Sequence, residues 1–403
     1  MRILIHGLNY APEPTGIGKF TGEMAEWLAA RGHRVEVVTT PPYYPGWHIG
    51  AGYSPWRWRK ERIAGVVVHR CPLYVPATPR GWTRLLHLLS FAASSLPVAL
   101  CRTLVLRPQV VIAIAPALVS APGSWAAARF AGARAFLHIQ DFEIDAAFAL
   151  GIVSGGGMRR VALALESWLL RRFDSVSSIT PAMVTRLAEK GVAAKHCFLF
   201  PNWADTTAIR PAPSALRASL NLPAGSLVAL YSGNMGEKQG VETLADVARL
   251  LAGTPVHLLL AGAGAAAPRL AAVTSGMAQV HWLAIQPAER LNDLLNAADI
   301  HLLPQRADAA DLVMPSKLAF MLASGKPVVA GAATDTALAG AIAGCGIAVA
   351  PGDAKAMAAA IVELAGDAPR RHRLGEHARQ RALAEWDREA ILSAYEKILL
   401  DAN

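Results

Sequence analysis

Short apolar runs, separated by longer stretches of mixed polarity, recur along the whole chain. In the first half they fall at Arg2 to His6, Arg34 to Thr39, Val66 to Cys71, Val110 to Ala115, Ala135 to Gln140 and Ser175 to Ile179. Runs of this length, rich in Val, Ile and Leu and with little alternation, match strands buried on both faces. Between most of them apolar positions recur at helical period, first from about Ile17 to Ala30. A second series opens near Ser226 with LVALYS and continues through VHLLLA, QVHWL, DIHLL, PVVA and IAVA. Both halves repeat strand, glycine loop, helix, which predicts an α/β chain with two parallel sheets covered by helices. The proline-rich stretch from Phe200 to Gly225 reads as a linker. The predicted division is a Rossmann-like domain over residues 1–200, a second over 201–380, and a C-terminal helix over 381–403. The helical stretch from about Arg370 to Leu399 is long enough to leave the second domain and pack back on the first.

A length of 403 residues allows each domain its own core. Apolar residues make up 53% and charged ones 17%, a balance that leaves two uncharged stretches near the length of a membrane span. Residues 85–101 contain His87, three serines and Pro97, and residues 108–128 contain Pro108, Pro116, Pro122 and Gly123. Both read as soluble elements broken by turns rather than as spans of about 20 apolar residues. The opening MRILIHGLNYAPEP holds too short an apolar run for a signal peptide. Cys71, Cys101, Cys197 and Cys345 are scattered with no CxxC pair, which argues against a zinc or disulfide framework and for a reducing compartment.

Charge separates the halves. Residues 1–200 carry 22 Lys and Arg against 11 Asp and Glu, whereas residues 201–403 carry 17 against 19. A basic field confined to the first half attracts anionic lipid, nucleic acid or acidic small molecules. Within it, YYPGWHIGAGYSPWRWRKER (residues 43–62) interleaves aromatics with Arg57, Arg59, Lys60 and Arg62, and an apolar helical stretch follows between Arg80 and Arg107. Trp and Tyr beside Arg and Lys suit an anionic membrane surface first. Cation–π packing comes second and single-stranded nucleic acid last, since no nucleic-acid motif accompanies the segment.

In parallel sheets ligands gather beyond the carboxyl ends of the strands, so the loops there carry the candidate chemistry. The first, Pro12 to Gly18, precedes a helix and reads either as an anion-contacting loop or as a tight turn. Its glycines, Gly16, Gly18 and Gly22, lack the dinucleotide spacing, and Glu36 lies inside the next strand rather than at its end. The equivalent loop of the second half is Gly233-Asn234-Met235-Gly236-Glu237-Lys238-Gln239-Gly240, which sets Lys238 at a helix start, where it either neutralises a leaving diphosphate or stands as a solvated lysine, paired with Glu237 or with nothing. Further on, Met314-Pro315-Ser316-Lys317 suits a Ser316 N-cap with Lys317 in the first turn. A cation there opposes the helix dipole unless an anion binds nearby. Past the strand ending at Gln140 stand Asp141, Glu143 and Asp145, candidates for catalysis or for holding sugar hydroxyls; Asp141 suits a helix cap equally by position. His138, inside that strand, reads as packed.

With these loops the chain resembles the retaining glycosyltransferases of family 4 and, among them, the colanic-acid-type fucosyltransferases of bacterial exopolysaccharide synthesis. The likeness runs through LNYAPEPTGIGKFTGEMAEWL, YPGW, HIQDFEID, FPNWAD, YSGNMGEKQGVETL, LLPQRADAADLVMPSKL, LASGKPVVA and AGCGIAVAPGD. It implies the GT-B fold: two doubly wound Rossmann-like domains facing across a cleft, with the C-terminal helix packing back on the first. It implies a nucleotide-sugar donor on the second domain and an acceptor on the first, with no metal and no cofactor. Lys238 and Lys317 become diphosphate contacts, with Gly233, Asn234, Gly236, Pro315 and Ser316 around the donor. Gly16 and Gly18 line the other side, and Asp141 with Glu143 faces the reacting sugar. The chain departs from the family pattern in three places. Asn234 replaces a common Arg, Gln239 stands where a Lys is usual, and the Glu pair that usually holds sugar or ribose hydroxyls falls at Leu312 and Phe320. Asp308 and Asp311 stand nearby as substitutes.

The resemblance implies transfer of a sugar, fucose from GDP-fucose, to a polyprenyl-diphosphate-linked saccharide by a cytoplasmic enzyme peripheral on the inner membrane. A nucleotide-sugar epimerase of the same plan is the alternative. A two-domain sugar-binding protein of the exported kind would need an export signal.

Overall fold

The computed structural model describes residues 1–78, 81–115, 118–142, 156–236, 239–306 and 314–401. The chain divides into two units, Met1–Pro201 with Ile391–Asn403, and Asn202–Ala390. The first is built on β1 (Arg2–Gly7), β2 (Arg34–Thr39), β3 (Arg59–Ile63), β4 (Val66–Arg70), β5 (Val110–Ala115), β6 (Arg134–Ile139), β7 (Ser175–Ser178) and β8 (Cys197–Leu199). They lie in the order β3-β4-β2-β1-β5-β6-β7-β8, all parallel except the β3–β4 pair. Central strands show why the apolar runs lack alternation: all six residues of β5, VVIAIA, are buried. β3, RKERI, is the opposite case, an exposed antiparallel edge whose charges discourage further pairing.

The helices of this unit are α1 (Gly16–Ala30), α2 (Gly81–Leu106), α3 (Ala121–Ala131), α4 (Gly156–Leu170) and α5 (Pro181–Glu189). The chain leaves β1 for β2 on one side and later returns to β5 on the other, so β1 and β5 flank a topological switch point. Right-handed crossovers then set α1 on one face of the sheet and α2 to α5 on the other. The α1 face is closed by the chain's end. Tyr395 stacks on Phe200 with centroids 4.0 Å apart, and Glu396 accepts from Arg31 Nη2 at 2.9 Å and pairs with His33 Nε2 at 2.8 Å.

One expected break is absent. Residues 85–101 belong to the continuous helix α2, which holds Pro97 within it and is long and apolar enough to cross a membrane. His87, Phe91, Ser95, Ala99 and Thr103 are buried at a spacing of four straight through the proline, so packing carries the helix past the lost hydrogen bond. Residues 108–128 do divide, into β5, a short turn at Leu118–Ser120 and α3 with its proline in the first turn.

The second unit holds β9 (Leu227–Asn234), β10 (Val256–Ala263), β11 (Val280–Leu283), β12 (Ile300–Leu303), β13 (Val328–Gly331) and β14 (Gly346–Val349). All are parallel, in the order β11-β10-β9-β12-β13-β14, so the switch point lies between β9 and β12. Around them run α6 (Ala215–Ser219), α7 (Thr243–Leu250), α8 (Ala267–Val273), α9 (Leu291–Asn296), α10 (Lys317–Ala323), α11 (Ala337–Ile342), α12 (Ala354–Gly366) and α13 (Ala368–Glu385), and α14 (Arg388–Asp401) carries the chain from this unit back into the first. The expected linker is packed rather than loose. Trp203 and Ala204 are buried, and Asn296 accepts from Ala212 N at 2.9 Å while donating to Arg210 O at 2.9 Å. The C-terminal stretch is two helices, not one. Asp387 breaks it by capping α14, accepting from Ala390 N at 2.9 Å, and bonds Thr206 through its second oxygen.

Candidate functional site

In the second unit the carboxyl ends of β9 and β10 are pressed together. A Cβ on Gly262 would stand 2.0 Å from the Gly233 carbonyl oxygen, and Gly233 itself has φ +120°. Only paired glycines allow that approach. The loops beyond are stapled by Met235 N donating to Ala263 O at 2.8 Å and Ala266 N to Met235 O at 2.9 Å. Asn234 and Gly233 are exposed at the end of β9, with Gly236 half-buried just past it. A Cβ on Gly240 would lie 2.8 Å from the Gln305 carbonyl carbon, so the loop after β9 lies against the chain leaving β12, across the switch point. That turn delays the helix. α7 starts at Thr243, not beside Lys238, and Lys238 itself lies outside the described residues.

Lys317 opens α10 at this edge. Its ammonium sits 3.9 Å from the centroid of the Tyr231 ring and donates to Ser232 O at 3.4 Å. Its Cδ is 3.6 Å from where a Gly233 Cβ would be. The Tyr231 hydroxyl, buried, donates to Asn234 O at 2.6 Å, so one tyrosine braces both the lysine and the end of β9. Among the described residues no carboxylate pairs with Lys317, and dehydration pushes its pKa down to about 7. A cation whose partners among the described residues are a ring and a carbonyl gains strongly from an anion brought beside it. Ser316 holds the N-cap position but is already helical, φ −57° and ψ −25°, and its hydroxyl caps nothing; the expected Ser316 cap is absent. Pro315 accepts the first turn's bond from Leu318 N at 2.9 Å. Gln305 is buried with its Oε1 unpaired among the described residues, and His301 on β12 is held neutral by burial, its pKa near 3, bonded to Ser324 Oγ at 2.9 Å.

The glycine loop of the first unit already holds an anion, its own. Glu13 is buried, accepts from Asn9 Nδ2 at 2.9 Å, Tyr43 N at 3.1 Å and Tyr44 N at 3.0 Å, and has its pKa raised by burial against those bonds. A Cβ on Gly18 would stand 2.3 Å from Glu13 Oε2, and Gly16 opens α1 with φ +64°. Arg70, buried on β4, donates to Glu61 Oε1 at 2.7 Å, to Thr40 O at 2.9 Å and to Ala11 O, tying this loop to the strands beside it. Glu36 is likewise internal, paired with Arg102 Nε at 2.8 Å and His69 Nε2 at 3.1 Å, which holds its carboxyl down to about 2. Asp141 lies two residues past β6, half-buried and engaged. Glu143 and Asp145 lie outside the described residues, as do Asp308, Asp311 and Leu312. His138 is packed as expected, bonded to Ser177 Oγ at 3.0 Å. Sequence reasoning passed over Tyr231, Gly262 and Glu13; the GAG that closes β10 and the carboxylate inside a glycine loop were the available signals.

Residues 15–203 match the glycosyl transferase 4-like domain and residues 226–367 match glycosyl transferases group 1. Over 335 residues, 81% of this chain and 82% of the relative, it is 44% identical to WcaI of Escherichia coli (strain K12), named for glycosyl transfer in colanic acid biosynthesis. The chain belongs to this glycosyltransferase family. Among solved structures, sucrose-phosphate synthase from Thermosynechococcus elongatus matches with a TM-score of 0.77 at 20% identity, covering 99% of this chain and 98% of that one. HepE of Anabaena, solved with UDP-glucose, matches at 0.70 and 18% identity over 100% of both chains. At such identities the likeness concerns the fold, which is GT-B.

Proposed function

We propose that this glycosyltransferase moves a sugar, with retention, from a nucleoside diphosphate to a lipid-linked saccharide in exopolysaccharide assembly of the colanic-acid kind. The observation that carries the donor side is Lys317, a dehydrated cation without a carboxylate partner among the described residues, at the switch point of the second sheet. In this reading Lys317, joined by Lys238, takes the charge that grows on the diphosphate as its bond to the sugar breaks. Gly233, Asn234, Gly236, Pro315 and Ser316 supply close backbone approach. The acceptor hydroxyl attacks from the face the diphosphate leaves, and its proton passes to a phosphate oxygen of the leaving group. Cationic side chains take the place of a divalent ion. Asp141 and Glu143 serve the acceptor, and Gly16 and Gly18 shape the loop beside it.

The likeness to WcaI supports the polymer. The colanic-acid subgroup and the loss of Glu at Leu312 and Phe320 support a deoxy sugar, fucose from GDP-fucose, needing fewer hydroxyl contacts. The basic first half supports an acceptor at the inner face of the membrane. GDP is expected to raise the melting temperature and UDP to leave it unchanged, with GDP-fucose then serving as donor to a lipid-linked saccharide. Stabilisation by UDP and not GDP contradicts the donor. A rearranged sugar nucleotide formed from donor alone points to an epimerase instead.

A further inference from the structure

Helix α2 is apolar on its outward face as well as in part on its inward one. Its buried positions are Phe91, Ala99 and Leu106 with three polar residues bonded within the unit: His87 Nδ1 to Tyr74 O at 2.6 Å, Ser95 Oγ to His6 Nε2 at 2.9 Å and Thr103 Oγ1 to Ala99 O at 2.7 Å, with His87 Nε2 unpaired among the described residues. Its outward face shows Trp82, 69% exposed, with Leu85, Leu86, Leu89, Leu96 and Leu104, and Arg84 is the charge among them. Amphipathic packing predicts a polar outward face instead. Apolar exposure continues on the same helical layer, at Phe130 of α3 and at Leu165 and Trp168 of α4. A patch of this extent on a soluble chain marks a docking surface.

Its surroundings say what docks. Trp58 Nε1 donates to Ser94 O at 3.2 Å, which fastens the segment before β3 onto the middle of α2 and leaves Trp56 and Trp58 exposed beside it. That segment edges a cavity of about 330 Å³ lined by Arg57, Arg59 and Arg70 with Tyr53. Arg70 is consumed by its internal bonds and Arg59 is shared with Gly52 O at 3.0 Å and Glu61 at 3.4 Å, whereas Arg57 is exposed and reaches no carboxylate among the described residues. Tryptophans and arginines rimming an apolar helix face match the headgroup boundary of an anionic bilayer. A second copy would bring the same positive field against itself.

We propose that the outward face of α2, with Trp56, Trp58 and Arg57, docks the first unit on an anionic lipid surface. The helix lies in the headgroup plane, its inner side still on the protein core, with Trp82, Leu85 and Leu89 in the acyl boundary and Arg57 against lipid phosphate. The biological purpose rests on the lipid-linked acceptor proposed above; the docking is measured without donor or acceptor. The full chain is sedimented with phosphatidylcholine vesicles, with and without phosphatidylglycerol, alongside Leu85→Gln/Leu89→Gln and Arg57→Glu variants. Wild type is expected to pellet with the anionic vesicles, less so at high salt. The leucine pair is expected to weaken pelleting by about tenfold or more at any salt, and Arg57→Glu to weaken it mainly at low salt, with melting temperatures unchanged. Leucine variants that pellet like wild type overturn the docking face. A concentration-dependent dimer that the same variants abolish overturns it in favour of a second copy. A wild type that ignores vesicles, yet glycosylates a short-chain lipid diphosphate saccharide in solution, overturns the docking while the acceptor reading stands. Docking as proposed, with transfer only to lipid-free saccharides, sinks the acceptor reading alone.

Discussion

Lys317, half-buried, and Glu13, buried, are charges of opposite sign, each at the carboxyl edge of a parallel sheet, and they differ in what meets them. Glu13 accepts from Asn9 of its own loop and from the backbone N–H groups of Tyr43 and Tyr44 in the loop after β2, whereas Lys317 meets a ring and a carbonyl at 3.4 Å among the described residues. Among the described residues the first is therefore complete without a ligand and the second is not. Gly18 is what lets Glu13 fit. Gly18→Ala would put a Cβ 2.3 Å from Glu13 Oε2 and 2.8 Å from its Cβ. The expected result is a loss of about 1–3 kcal/mol, read as a melting temperature several degrees lower, with nucleoside diphosphate affinity unchanged. An unchanged melting temperature would mean that Glu13 moves aside freely and holds nothing. Lys317 was legible in the sequence because a cation in a helix's first turn opposes the dipole. Tyr231 was not, because an aromatic at the end of an apolar strand looks like any core residue until its ring is seen beneath an ammonium.

The parallel strands were legible as apolar runs, since burial on both faces removes polar positions. β3 was hidden for the converse reason. RKERI carries one apolar residue in five, and only pairing with β4, in register from Arg59 with Arg70 to Ile63 with Val66, makes it a strand. Segment 43–62 was read from its aromatic and basic residues, yet its end is the antiparallel edge of the sheet. α2 misled in another way: Pro97 and interior serines suggested turns, but Ser94 and Ser95 find partners on Pro72 O and His6, and Pro97 stands on the exposed side of a helix held by its buried face. Local propensity loses to tertiary packing at such places. The start of α7 shifted because Gly240 has to pass close to Gln305, a contact between two loops that no local pattern announces.

Across the whole molecule, three buried histidines sit on sheet strands, each bonded to a serine: His6 with Ser95 and Ser124, His138 with Ser177, His301 with Ser324. Burial holds them neutral, His6 near pKa 4 and the other two near 3. With folded values below the unfolded 6.5, the unfolded chain takes up more protons as pH falls. Stability is therefore full above about pH 6.5 and declines below it, by about 1.4 kcal/mol per pH unit for each histidine. Glu36, held down to about 2, adds a further loss below about pH 4.5. The melting temperature is expected to drop clearly between pH 7.5 and 5, and a flat profile over that range would contradict neutral buried histidines. The central claim is that Lys317 receives the diphosphate, and its direct measurement is nucleoside diphosphate binding by calorimetry for wild type, Lys317→Met and Asp141→Asn from pH 7 to 9. Lys317→Met is expected to bind about 10–100-fold more weakly near pH 7, with the gap to wild type narrowing as pH rises past the lysine's value of about 7. Asp141→Asn is expected to bind like wild type throughout. A Lys317→Met variant that binds as tightly as wild type near pH 7 would contradict the donor site.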